Sequence, residues 1–470
     1  MTQCNQESFE FHPLNRRQVV GRLDGGEITT DGGGLLLREV EKRTRIIARF
    51  AECFRDRRAA EHIEHTVGEL VAQRVYALAL GYEDLNDHDE LRRDPLLAVL
   101  AEKADPTGQS RARERDRGKA LAGKSTLNRL ELTKAEVEEK ERYKKIALEM
   151  EAVDGLLVKL FLEAHAEPPA EIVLDLDATD DPLHGNQEGR FFHGYYGHYC
   201  YLPLYIFAGD HLLCARLRPS NIDASAGCRE EVERLVGEIR RVWPEVKITL
   251  RGDSGFCREE LMAWCEQHQV DYALGLAKNP RLKAEISGEL EAARQQYLET
   301  GQPARVFKEF RYQTRQSWSR ARRVVAKAEH LAKGANPRFV VTSLGAAAWE
   351  ARRLYEEFYC ARGEMENRIK EQLMLFADRT STAQLRSNQI RLYFSSVAYT
   401  LVAALRRLGL QGTDLAQAQA ATIRLKLLKI GALIRISVRR VWVSWASGYP
   451  YAELFAHAHA QLRASPLPTG

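Results

Sequence analysis

The sequence predicts an α/β protein built on a mixed sheet, with a helical region ahead of it. Three observations predict this. Between residues 171 and 277, β-branched runs alternate with amphipathic stretches. Residues 35–105 carry apolar side chains at helical spacing. The chain has 470 residues, more than one ordinary core organises, which points to roughly two to four structural units.

Residues 1–50 open irregularly. GRLDGGEITTDGGGLLL holds two glycine clusters and reads as a turn with a short strand. The segment RRAAEHIEHTVGELVAQRVYALALGYEDLND is helical in pattern. DPTGQSRARERDRGKA, over 105–120, is nearly free of large apolar residues and reads as a loop or linker. Helices resume from Ser125 to about Ala166. After Glu167-Pro168-Pro169 the character changes. EIVLDLDAT is a strand pattern. GHYCYLPLYIFAGD and HLLCARLRP follow, with Gly209-Asp210 as a hairpin signal. Residues 228–243 are an amphipathic helix, KITLRGD a strand, REELMAWCEQHQ a helix and DYALGLA a further strand. The predicted order is β-β-β-α-β-α-β.

Residues 278–345 interrupt this core with charged, strand-like pieces. A long helix is predicted from Ala346 to about Ala377. The last stretch holds the apolar helix NQIRLYFSSVAYTLVAALRRL. Then comes IRLKLLKIGALIRISVRRVWVSW, whose basic–apolar alternation fits strand or helix.

Composition, 44% hydrophobic and 29% charged, is that of a globular protein. No apolar run reaches the roughly 18 residues of a membrane-spanning helix. The N-terminus has no basic-then-apolar leader pattern, so a cytoplasmic location is the expectation. The eight cysteines include no C-x-x-C pair, which argues against a zinc site. A net charge of +4 says little by itself, but arginines recur in clusters: Arg111, Arg113, Arg115 and Arg117; Arg315, Arg320, Arg322 and Arg323; Arg435, Arg439 and Arg440. Each cluster alone fits a solvated surface; several around an acidic centre fit nucleic acid.

The acidic centre is read from three places. Asp177 lies near the end of the first core strand, in LDLDATDDP, and Asp253 follows the fourth, in LRGDSGF. Glu366 lies on the long helix, in YCARGEMENRIKEQ. Carboxylates at neighbouring strand ends and on a helix can share a cleft and supply hard oxygen ligands for Mg²⁺. Two such ions about 3.5–4 Å apart serve phosphodiester chemistry, activating the attacking oxygen and stabilising the leaving one. Tyr359, Arg362, Glu366 and Lys370 are separated by three, four and four residues, which places them on one helical face. An exposed salt-bridged stripe has the same spacing. Asp175 and Asp177 point to the same side of a strand, and periodicity does not choose between them.

These residues resemble a bacterial insertion-sequence transposase of the DDE class. The likeness is to the IS1380 group, related to the IS4-type enzymes with an RNase H-like catalytic fold. LDLDATDDPLHGNQEG, LRGDSGF, FVVTSL and YCARGEMENRIKEQ carry the resemblance, which spans nearly the whole chain. It selects Asp177 over Asp175 through the D-x-T pattern. It implies that Asp177, Asp253 and Glu366 are the catalytic, metal-binding carboxylates. Two Mg²⁺ ions, or Mn²⁺ in their place, are the implied cofactor. Tyr359, Arg362 and Lys370 are implied phosphate contacts. The family pattern places a lysine seven residues past the glutamate, where this chain has Leu373.

The resemblance further implies a division into five segments. Residues 1–166 are a mostly helical DNA-binding region and 167–277 the first part of the RNase H-like core. Residues 278–345 are a β-rich insertion and 346–380 the final core helix. Residues 381–470 serve dimerisation or DNA contact. Trp318, in RQSWSRARR, is the candidate for stacking on a flipped base; a tryptophan half-buried in a strand is the alternative. The implied activity is cut-and-paste transposition. The implied partners are terminal inverted repeats and target DNA, held by a homodimer. The alternatives are a catalytically silent DNA-binding regulator derived from a transposase, and a structure-specific nuclease on the same fold.

Other motifs read as decoys. GKALAGKS, Gly118–Ser125, fits G-x4-G-K-S, but the arginine-rich segment before it is no hydrophobic strand, so nucleotide binding is not expected. Lys124 keeps a possible role against DNA. His62 and His65, three apart, lack a third metal ligand and read as part of a surface helix. His184 and His193 follow the first catalytic strand and fit either a DNA-facing or a turn-stabilising role.

Overall fold

The computed structural model describes residues 8–135 and 144–464. Cys4 and the middle of the helical stretch read from Ser125 to Ala166 fall outside the described residues. The chain divides into two compact units: Met150–Leu373 with Ala377–Ser396, and Met1–Glu149 with Met374–Phe376 and Val397–Gly470.

The first unit is a mixed α/β structure on one large sheet. Its leading elements are β1 (Glu171–Ala178), β2 (Leu204–Ala208), β3 (His211–Arg216), α1 (Cys228–Val242), β4 (Lys247–Gly252), α2 (Glu259–Gln267) and β5 (Asp271–Leu276). This is the β-β-β-α-β-α-β order read from the sequence, with three short strands in a separate small sheet between β1 and β2. β2 and β3 pair antiparallel, closed at Ala208 and His211 by Gly209 at φ 58°. β1 pairs antiparallel with β2 and parallel with β4, and β4 runs parallel to β5.

The apolar residues of β1 explain its central place. Ile172, Leu174 and Leu176 are buried in one cluster with Val232, Leu235 and Ile239 of α1 and with Leu261 and Met262 of α2. On α1 the apolar residues recur three and four apart, so one stripe faces the sheet. Each such side chain contributes roughly 1.5–3 kcal/mol on burial.

Residues 278–345 carry their strand-like pieces as strands, preceded by two helices that the pattern did not show. The helices are Pro280–Glu285 and Ser287–Thr300. Then β6 (Ala304–Tyr312), β7 (Arg322–Leu331) and β8 (Arg338–Thr342) follow. These strands continue the same sheet, whose order is β3-β2-β1-β4-β5-β8-β7-β6. Arg322, on β7, bonds Glu259 and Glu266 of α2 and is 2% exposed, which ties strand to helix.

The predicted long helix is helical from Ala351 to Leu373 but not uniform. Ala351–Arg353 is α, Leu354–Tyr359 is a π segment, Cys360–Arg362 is 3₁₀, and α3 (Gly363–Leu373) is α again. Helical spacing alone does not reveal the wider and tighter turns.

In the second unit, the helix Val67–Leu80 begins with the capping box of Thr66 and Glu69. The Gly32–Gly34 cluster serves close packing: a Cβ on Gly33 would lie 1.8 Å from the Leu427 carbonyl oxygen. The basic–apolar stretch near the C-terminus is helical over 420–428 and then a hairpin, Ala432–Ile436 with Val441–Trp445. Among the described residues, no helix is long and apolar enough to cross a membrane.

Candidate active site

At the carboxyl ends of β1 and β4 the first unit opens into a cleft of about 620 Å³. Asp177, Asp253, Arg362, Glu366 and Lys370 line it together. Asp177 stands at the end of β1, where the pleat turns it out of the apolar cluster. Its carboxylate is 17% exposed. Asp253 follows β4 and caps the short turn Ser254–Phe256; its Oδ1 accepts the Gly255 N–H at 2.8 Å. Glu366 comes from the first turns of α3 and is 51% exposed.

Asp175 takes a different place. It receives two hydrogen bonds from Arg251 of β4, at 2.6 and 2.8 Å, and is 5% exposed. Arg251 also donates to the Phe358 carbonyl at 2.6 Å. Asp175 is absent from the cleft lining; Asp177 is present. Two residues on the same strand face are thus separated by a partner that lies next to only one of them.

Arg362 sits among the acids. One guanidinium nitrogen is 3.9 Å from Asp177 and another is 3.2 Å from Glu366. Burial pushes Asp177 up to about 6; Arg362 opposes the rise, and Asp253 and Glu366 add to it. Three carboxylates against Arg362 and Lys370 leave the lining short of positive charge. Lys370 makes no ion pair or side-chain hydrogen bond with any described residue, although it lines the cleft. Leu373, where the resemblance led one to expect lysine, lies at the rim, 39% exposed.

The predicted helical stripe is only partly preserved. Arg362, Glu366 and Lys370 line the cleft; Tyr359 does not. Tyr359 ends the π segment and packs behind the site, its hydroxyl against Gly275 of β5. A Cβ on Gly275 would lie 2.6 Å from that hydroxyl and 2.9 Å from the Ser254 nitrogen, so only glycine admits this contact. Burial raises the Tyr359 phenol, so it is a neutral, packed group beside the carboxylates.

Trp318 is a buried side chain. It lies in the loop between β6 and β7, 6% exposed, within the main apolar cluster. Tyr312 meets its ring edge-on at 5.8 Å and Arg322 covers it at 5.5 Å. At 6% exposure the ring is not open to a base. Arg322, from the same arginine cluster, is likewise consumed by Glu259 and Glu266.

Sequence reasoning missed Tyr195 and Tyr196, which line the cleft with His193. The His193 and Tyr196 rings lie 4.8 Å apart, tilted at 44°, and Tyr196 is pushed up to about 12 by burial and nearby aspartates. Their signal is the aromatic run FFHGYYGHY just after the first carboxylate. His184 is exposed and outside the lining.

A mixed α/β unit with three carboxylates and two cations in one polar cleft is a frame for phosphate-ester chemistry. The sequence profile of the family described as "Transposase DDE domain group 1" matches residues 11–467. The chain belongs to that family. A search of curated proteins finds no match. Among solved structures, the piggyBac transposase synaptic complex with hairpin DNA is similar at 11% identity. Its TM-score is 0.40, with 85% of this chain and 80% of that chain covered.

Proposed function

We propose that this protein is a cut-and-paste transposase of the IS1380 group that cleaves DNA at element ends and joins them to target DNA. One observation carries the reading: Asp177, Asp253 and Glu366, from three separate segments, line one cleft. The strand order β3-β2-β1-β4-β5, antiparallel through β1 and parallel beyond it, supports an RNase H-like core.

Family membership implies divalent metal. Among the described residues, no three metal-binding side chains gather closely enough to hold one ion. The donor chemistry nonetheless fits: three carboxylates share the cleft, and Asp177 is held above its ordinary range by burial and by the other two. Arg362 stands in as the cation between Asp177 and Glu366. Asp177, Asp253 and Glu366 would hold Mg²⁺ or Mn²⁺, with Glu366, half exposed, turning away from Arg362. When bound, the ions supply Lewis-acid stabilisation of the anionic, in-line transition state. Asp177 and Asp253 are positioned by the ends of adjacent parallel strands, which makes them the rigid pair. Arg362 and Lys370 offer the cationic contacts to the scissile phosphate. Tyr359 positions Arg362 from behind. Duplex DNA carrying terminal inverted repeats is the substrate. A dimer holding two ends is the working form, and the 1–166 region recognises the repeats.

The test is cleavage of a donor plasmid bearing the element ends in Mg²⁺, with Asp177→Ala, Asp253→Ala and Glu366→Ala. Each should cut at about 10⁻³ of the wild-type rate or less, since several kcal/mol of charge stabilisation is lost and each 1.36 kcal/mol is tenfold. A variant cutting at wild-type rate removes its residue from the set. A strand-transfer assay separates a transposase from a nuclease that cuts without joining.

A further inference from the structure

Three motifs that the active site leaves unused come together in the second unit. They are the Arg111–Arg117 cluster, the GKALAGKS segment and the His62/His65 pair. All three contribute to one cleft of about 420 Å³, lined also by Arg58, Arg92 and Arg129. Its cations Arg58, Arg92, Arg111, Arg113, Arg115 and Arg129 face three acids, Glu64, Asp89 and Asp116.

We infer that this arginine-lined cleft binds backbone phosphates of duplex DNA. The inference rests on the DNA-processing reading above and names where that DNA is gripped.

The acids do not cancel the charge. Glu64 is taken by Arg111 at 2.7 Å, and Asp89 by Lys124 at 3.2 Å. Asp116 has only a 3.9 Å approach from Arg115, whose side chain is 76% exposed. Arg113 is exposed and makes no ion pair or side-chain hydrogen bond with any described residue. The cleft is also stiff underneath. Arg111 donates to the Lys119 carbonyl at 2.7 Å, and Arg58 forks onto Asp56. Gly123 precedes the helix Lys124–Glu131, and a Cβ there would lie 3.1 Å from both Arg92 and Asp89. His65 is 5% exposed. Burial, then Lys103, Arg111 and Arg58, drive its pKa down to about 3, so it stays neutral beside the arginines.

A concave site with fixed guanidinium groups beneath and free ones at the rim suits a chain of phosphates. A duplex backbone offers successive phosphates to the rim arginines. A free nucleotide offers the same chemistry without the length, and the experiment distinguishes the two.

The experiment measures fluorescence anisotropy of a random-sequence duplex of about 30 base pairs, in EDTA, across a salt series. The full chain is compared with Arg113→Ala/Arg115→Ala, both exposed positions. Arg294→Ala/Lys333→Ala removes two exposed charges elsewhere as a control. The first pair should weaken binding by about tenfold or more. It should also flatten the slope of log K against log salt by about 1–2, near 0.9 per phosphate contact. The control pair should change neither. Arg113→Lys/Arg115→Lys should restore most of the slope. Equal binding by the Arg113/Arg115 variant and wild type overturns the proposal, as does failure of the wild type to bind. Loss of ATP binding in that variant with duplex binding intact assigns the cleft to nucleotides and overturns it too. Because EDTA prevents cleavage, failure of the catalytic assignment leaves this result unaffected.

Discussion

The two polar clefts are built on opposite charge schemes. The cleft beside β1 and β4 sets three carboxylates against Arg362 and Lys370. The other sets six arginines against Glu64, Asp89 and Asp116. In each, the minority charge is used structurally. Arg362 bridges the acids, and Glu64 and Asp89 anchor individual cations. What remains over defines the ligand: a deficit of positive charge suits metal ions, and a surplus suits phosphates. The rigid parts also differ. Strand ends hold Asp177 and Asp253 and a helix holds Glu366, while turns and a short helix hold the arginines.

Substitution of the central cation should give the largest separation between the clefts. Arg362→Ala should lower cleavage about 10²-fold, as loss of one oriented charge-stabilising donor does. Duplex binding in EDTA should change by less than about twofold. The Arg113/Arg115 variant should show the reverse weighting. If Arg362→Ala instead abolishes binding, the division of labour is wrong.

Burial of the Asp177 carboxylate, with Asp253 and Glu366 nearby, gives the next effect. The folded pKa of Asp177 lies above its unfolded value, so the folded state holds the proton more tightly. Its favourable contribution is present below the ordinary pKa near 4 and is lost as pH rises through about 6. In EDTA, Asp177→Asn should therefore stabilise the protein at pH 8 by on the order of 2 kcal/mol and have little effect at pH 4. Thermal unfolding at the two pH values checks this. Equal stabilisation at both would show that packing, not charge, is responsible.

The smallest effect is expected at Trp318. With the ring buried, Trp318→Phe should cost about 1–2 kcal/mol through lost packing and leave duplex affinity unchanged. A selective loss of end-DNA binding without destabilisation would restore the base-stacking reading.

Much of the first unit was readable because its elements are long and strongly patterned. β1 alternates Ile172, Leu174 and Leu176 on one face with Val173, Asp175 and Asp177 on the other, and α1 repeats its apolar residues every three or four positions. Asp177 and Asp253 stood out because they end or follow such strands, and Glu366 because it lies on a helix of regular spacing. Residues 278–345 were harder. Their two leading helices are weakly amphipathic, and their strands carry charges on an outer sheet edge, so local pattern does not show that the sheet continues. Helical spacing did not show that Tyr359, at the end of the π segment, packs behind the cleft against Gly275. Tyr195 and Tyr196 were overlooked because a short aromatic loop has no periodicity.

The sequence by itself determined the polar centre, the order of the core elements and the family. Residue chemistry and short-range spacing encode those. Tertiary structure decided which neighbour each charge meets. It gave Asp175 to Arg251 and left Asp177 in the cleft. It buried Trp318 against Tyr312, and it gathered Arg58, His65, Arg113 and Gly123 into one site. Electrostatic and packing partners are set by distance in space, and residues far apart along the chain acquire those distances only when the sheet and helices close around them.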